Sequence, residues 1–144
     1  MTRNTLILDT SVIISHFLNT KVSYVDNIIK LAIKKQVSLI CSSEIFQELQ
    51  NSISDPRIKN HPSFKSKKVA QFMAWYKYNA QFFVVEDASL VISRDPNDDK
   101  FLHLAKQTET QFILSLDKDL LSISNYYNTK IIKPQEFIQN YFKK

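Results

Sequence analysis

The sequence predicts an α/β domain in which a central parallel sheet carries helices on both faces. Short apolar runs alternate along the chain with segments whose apolar residues recur at helical spacing, the pattern left by right-handed crossovers between parallel strands. Two of those runs stop at an aspartate, Asp9 and Asp117, just ahead of a helical segment. The length of 144 residues suits one sheet with its helices, so a single domain over residues 1–144 is expected.

Residues 5–8 form the first strand, and Thr10 or Ser11 then caps a helix carrying Val12, Ile13, Ile14, Phe17 and Leu18. Residues 24–35 place Val25, Ile28, Ile29, Ala32 and Ile33 on one helical face, with Lys30, Lys34 and Lys35 on the outer face and last turn. A second strand spans 37–41. Ser42 or Ser43 caps the next helix, where Ile45, Phe46 and Leu49 face the core and Glu44 and Glu48 share a face. Residues 54–63, broken by Pro56 and Pro62, begin an exposed basic connection that includes Arg57, Lys59, Lys65, Lys67 and Lys68.

A helix over 64–78 contains Val69, Phe72, Met73, Trp75 and Tyr76, and a buried strand follows at 82–85. Residues 94–99 turn into a helix with Phe101, Leu102, Leu104 and Ala105. The strand at 111–116 ends at Asp117, and Asp119 is the expected N-cap of a short helix to 123. A last strand at 130–132 precedes Pro134, which suits the first turn of a terminal helix to 142.

An apolar fraction of 44% and a charged fraction of 23% are near the averages of soluble globular proteins and argue against disorder and a membrane class. No apolar run approaches the ~18 residues of a spanning helix, and a charge arrives too early for a signal peptide, so a cytoplasmic protein with no membrane contact is expected. Cys41 is the only cysteine, which rules out an internal disulfide and a thiolate zinc site and leaves buried filler as its role. The net charge of +5 favours an anionic partner such as nucleic acid. Arginine occurs only at Arg3, Arg57 and Arg94, so phosphate contact falls mostly to lysine point charges. The chain has no glycine, which removes every Gly-rich phosphate cradle and assigns positive-φ positions to Asn, Asp or Ser, with Asn19, Asn60, Asn79 and Asn125 as candidates.

Ligands of open parallel sheets bind outside the carboxyl ends of the strands. Asp9 and Asp117 belong at that rim, Asp98 opens a helix there, and Glu48 lies one to two turns into the helix after the second strand. Carboxylates gathered this closely repel one another unless a cation neutralises them. Oxygen ligands without His or Cys point to Mg²⁺ or Mn²⁺, which can activate water and stabilise a phosphate cleaved in line. The basic surface would bind flanking phosphates.

Four blocks carry a family resemblance: Leu6 to Val12, Ser43 to Leu49, Arg94 to Leu102 and Ser115 to Leu121. In this order they resemble the PIN domain, and more narrowly its prokaryotic branch of toxins from toxin–antitoxin pairs. The resemblance implies a three-layer αβα fold of Rossmann-like topology and a Mg²⁺ or Mn²⁺ site. It also implies endoribonuclease cleavage of an RNA substrate to leave a 5′-phosphate, and a homodimer restrained by a small antitoxin. Carried over by position, the catalytic and metal-ligating acids are Asp9, Glu48, Asp98 and Asp117, with Ser11, Ser115 and Asp119 as accessory residues. Asp98 stands seven residues before Ala105, which fits the family spacing better than Asp95 or Asp99. Leu116 departs from the small residue, often glycine, expected between Ser115 and Asp117.

Each residue also has a plainer reading. Asp9 could merely cap its helix, Glu48 could be a solvated acid or the partner of a lysine with Glu44 as rival, and Asp95, Asp98 and Asp99 could form only an acidic turn. His16, His61 and His103 share no ligand spacing. The aromatic residues of 64–78, with Phe137, Tyr141 and Phe142, read as core or as a partner surface. The competing function is a catalytically silent PIN-fold regulator that binds RNA or protein. A haloacid dehalogenase-type phosphatase also begins with a strand ending in Asp, but it needs a second Asp where Ser11 stands.

Overall fold

A computed structural model describes residues 3–19, 21, 23–86, 92 and 95–142; Arg94 of the third block lies outside them. The chain forms an α/β fold with a six-stranded, mostly parallel sheet flanked by helices. Strand β1 (Asn4–Leu8) leads into α1 (Thr10–Leu18) and α2 (Tyr24–Ile33), and β2 (Val37–Ser42) leads into α3 (Ser43–Ile53). The short α4 (Pro56–Lys59) and the longer α5 (Ser66–Asn79) precede β3 (Gln81–Phe83). A 3₁₀ turn (Pro96–Asp98) runs into α6 (Asp99–Thr108), then β4 (Phe112–Leu114), α7 (Lys118–Ile123), β5 (Asn125–Tyr126) and β6 (Thr129–Ile132). α8 (Pro134–Glu136) continues as a π-helical turn (Phe137–Tyr141).

The strand order is β3-β2-β1-β4-β6-β5, so β1 sits between strands that lead away in opposite directions. That makes the gap between the carboxyl ends of β1 and β4 the topological switch point, the place where a parallel sheet opens a crevice. The register aligns Leu8 with Leu114, which brings the residues following each strand side by side. Both strands are wholly buried at these ends: Leu6, Ile7, Leu8, Ile113 and Leu114 have no exposed surface, as expected of strands covered on both faces. Leu102, Leu104 and Phe101 of α6 join the same core, together with Val12 and Ile13 of α1 and Ile45 and Leu49 of α3.

Several elements differ from expectation, each for a local reason. β3 is not the buried strand foreseen at 82–85: it pairs only with β2 at the sheet edge, and Phe82, Phe83 and Val84 are exposed. The connection after α3 is exposed and basic as expected, but Asp55 and Pro56 start a helical turn in it, Asp55 accepting from the Arg57 N–H at 2.8 Å. The hairpin that adds antiparallel β5 was not foreseen, because two residues are too short to show a strand period. Neither Thr10 nor Ser11 caps α1; Asp9 holds the N-cap position. The positive-φ positions among the described residues are Lys35, Glu109, Ser124 and Tyr127, of which only Ser124 is of an expected type and none is one of the four asparagines. Lys35 and Glu109 close the C-termini of α2 and α6 with paired turns, Gln36 N–H to Leu31 O at 2.8 Å and Thr110 N–H to Ala105 O at 3.1 Å. The need to satisfy terminal carbonyls selects the left-handed residue by position rather than by side chain.

Aromatic residues expected to form core or a partner surface mostly face inward. Tyr76 and Phe137 are fully buried, with Phe137 edge-on to Phe112 at 5.2 Å, whereas Tyr78 is 88% exposed. Cys41 is buried and free. Among the described residues no helix is long and apolar enough to cross a membrane.

Candidate active site

The site starts from Asp9, the residue at which β1 ends. Its N–H bonds the Leu114 carbonyl at 3.0 Å, extending the β1–β4 ladder by one step, while its side chain makes no cap bond to α1. The plain reading of Asp9 as a helix cap therefore fails on geometry. Its Oδ2 instead accepts from the Ser11 and Ser115 hydroxyls, each at 2.7 Å. Each serine is engaged on its other side too: Leu116 N–H donates to Ser11 Oγ at 3.2 Å and Asp117 N–H to Ser115 Oγ at 2.9 Å. Two hydroxyls thus tie the end of β1 to the end of β4. Leu116, the departure from the family pattern, keeps its side chain outward and serves this network through its backbone.

Asp117 follows as the N-cap of α7, its Oδ2 accepting from Leu120 N–H at 3.3 Å. Asp119, expected to be that cap, lies in the first turn, exposed. Asp98 comes from the other side, at the junction of the 3₁₀ turn and α6. One carboxylate oxygen from each of Asp98, Asp117 and Asp119 lies within 4.8 Å of the others, a spacing that one metal ion can span.

The three neighbouring acids of that turn separate cleanly. Asp95 accepts from the Asn97 N–H at 3.0 Å and Asp99 from the Ile92 N–H at 3.1 Å, so both shape the loop. Asp98 is only 9% exposed, yet its Oδ2 is buried without a hydrogen-bond partner. A buried polar atom normally has one, because desolvation without compensation is costly. Burial raises the Asp98 carboxyl to about 7, helped by the charges of Asp117, Asp95 and Asp9. Burial likewise raises Asp9, opposed by its two serine bonds and reinforced by the charges of Glu48 and Asp117. The charges of Glu48 and Asp117 thus reach Asp9, and those of Asp117 and Asp9 reach Asp98.

Glu48 occupies the flank. Its side chain is half-buried, whereas Glu44 on the same helix is exposed. The Thr10 hydroxyl donates a short hydrogen bond to Glu48 Oε2, and the Lys100 ammonium sits 2.8 Å from Oε1. A lysine partner for Glu48 was among the plainer expectations, without Lys100 being named, and the bond from Thr10 was not foreseen. Thr10 was weighed only as a cap, and Lys100 is one cation inside an acidic block, a signal visible in hindsight. The histidines stay outside the acidic cluster: His16 pairs with Asp26 at 2.6 Å, His61 accepts from Ser63 N–H, and His103 is buried in α6.

An all-oxygen donor set with a bare buried carboxylate oxygen, and proton affinities raised by burial and further by neighbouring carboxylates, fits a hard divalent cation. Comparison with known families places this geometry in context. The family described as PIN domain matches residues 5–119, a span that holds all the acids above. No curated protein matches the chain.

Proposed function

The chain belongs to the PIN domain family, whose members are in general metal-dependent nucleases, and from that premise we propose that it is an endoribonuclease using Mg²⁺ or Mn²⁺. The observation that carries the reading is the unpartnered Oδ2 of buried Asp98 beside Asp117 and Asp119. In this reading Asp98 and Asp117, with Asp9 and the accessory Asp119, hold the ion, and Glu48 completes the acidic wall. A divalent ion there supplies an activated water and charge neutralisation at a scissile phosphate. Ser11 and Ser115 engage one oxygen of the Asp9 carboxylate, which leaves the other for the ion in this reading. The exposed Arg57, Lys59, Lys65, Lys67 and Lys68 offer charge to the flanking backbone of the RNA. The same reading makes the protein a cytoplasmic toxin-type nuclease that works as a homodimer and is held in check by an antitoxin.

The test is cleavage of single-stranded RNA by purified protein with Mn²⁺, with the product ends identified as 5′-phosphates. Chelator, Asp9→Asn and Asp117→Asn should each abolish cleavage while the far-ultraviolet spectrum is unchanged. Cleavage that survives chelation would overturn the metal assignment. Tight RNA binding with no cleavage under any metal would favour the silent regulator instead.

A further inference from the structure

The acids at the switch point divide into two groups that are neutralised differently. Asp98, Asp117 and Asp119 form a cluster with a bare oxygen, and among the described residues no ion pair to it is seen. Glu48 stands outside that cluster, with a cation already in place. Lys100 is held for this purpose from several sides: its Nζ lies 2.8 Å from Glu48 Oε1 and 2.6 Å from the Asn97 carbonyl, and 5.6 Å from the centre of the buried Phe101 ring. Its side chain is only 11% exposed. The ammonium is thus held at once by a half-buried carboxylate and a loop carbonyl, with most of its own side chain out of water, a firmer hold than that of a fully exposed ion pair. Thr10 fixes the other oxygen of the same carboxylate.

We propose that Lys100 is a built-in cation that takes the place a second divalent ion would occupy beside Glu48, so that the site binds one metal ion per chain. This rests on the reading of the site as a metal centre. Nucleases that use paired ions place them about 3.5–4 Å apart, each held by carboxylates on its own side. Here the Glu48 side carries a fixed positive charge from the protein, and Coulomb repulsion with so little water between raises the cost of a second dication there. Lys100 then acts as a positioning residue: it holds Glu48 toward the site and keeps the charge of the acidic wall balanced with a single ion.

The experiment counts Mn²⁺ bound per chain by calorimetry and by the loss of free-Mn²⁺ paramagnetic resonance. The wild-type chain should bind one ion. Lys100→Ala, which removes the ammonium and opens its space, should bind two, and Lys100→Ala with Glu48→Gln should return to one. Lys100→Arg should keep the count at one. If Lys100→Ala is unfolded by circular dichroism, Lys100→Gln, which keeps most of the length and a donor but no charge, replaces it with the same expectation of two. Two ions in the wild type, or one or none in the charge-removing variants, would overturn the role of Lys100 while leaving the nuclease reading intact. No ion in the wild type would instead overturn the metal centre itself.

Discussion

Lowering the pH should weaken metal binding, and the structure sets the slope. The Asp98 carboxyl is raised to about 7 by burial and by its acidic neighbours, so near neutrality an incoming ion must displace a proton. A group with that pKa is about nine-tenths ionised at about pH 8 and about one-tenth ionised at about pH 6, so Mn²⁺ affinity should fall about tenfold across the interval. Asp9, raised in the same direction, steepens the fall. Calorimetry in two buffers of different ionisation heat should register about half a proton released from Asp98 per ion near pH 7. Affinity that does not change with pH, or an unchanged slope in Asp98→Asn, would refute the argument. Stability without metal follows the same sign. A carboxyl whose folded pKa is raised favours the folded state at low pH, and that stabilisation is lost as pH rises from about 4 through about 7. Metal-free protein should therefore melt at lower temperature at about pH 8 than at about pH 5, and saturating Mn²⁺ should reverse the order.

The remaining predictions concern single side chains. Asp9→Asn should leave the metal-free protein as stable as wild type or more so, because it removes a buried charge while keeping an oxygen for Ser11 and Ser115. The same change should shrink the rise in melting temperature produced by Mn²⁺, and a melting temperature well below wild type without metal would contradict this. Ser115→Ala strips the fully buried hydroxyl from both Asp9 and the Asp117 N–H and should cost about 1–3 kcal/mol in urea unfolding. Phe137→Ala empties a fully buried site against Phe112 and should cost about 3–5 kcal/mol, with Mn²⁺ affinity per folded molecule unchanged. Light scattering over a wide concentration range should find a dimer; a monomer throughout would count against self-association.

Much of this was legible in the chain. Apolar runs at 5–8 and 111–116, each closing on an aspartate, announced strands whose ends meet at a rim, because period and length are local properties that burial on both faces demands. The preference for Asp98 over Asp95 and Asp99 came from the spacing of the family that the chain resembles, and the structure adds a physical difference: its neighbours accept from loop backbone, whereas Asp98 Oδ2 has no partner. Other features were not legible. Asp117 rather than Asp119 caps α7, a shift of two residues that no local preference distinguishes, since either aspartate is a good cap. The left-handed residues fell on Lys35, Glu109, Ser124 and Tyr127 because helix closure and hairpin length choose the position.

What the sequence by itself determined is the alternation of elements, the acids that end them and the absence of any other chemistry: no glycine cradle, no cysteine pair, no spaced histidines. What only the tertiary structure decided is how those acids are charged. Glu48 meets Lys100 across 52 residues, Asp9 meets Ser115 across 106, and Asp98 keeps one buried oxygen without a hydrogen-bond partner. Local propensity carries no information about such pairs, because their energy arises only when packing removes water from both groups at once, and that depends on every element folded around them.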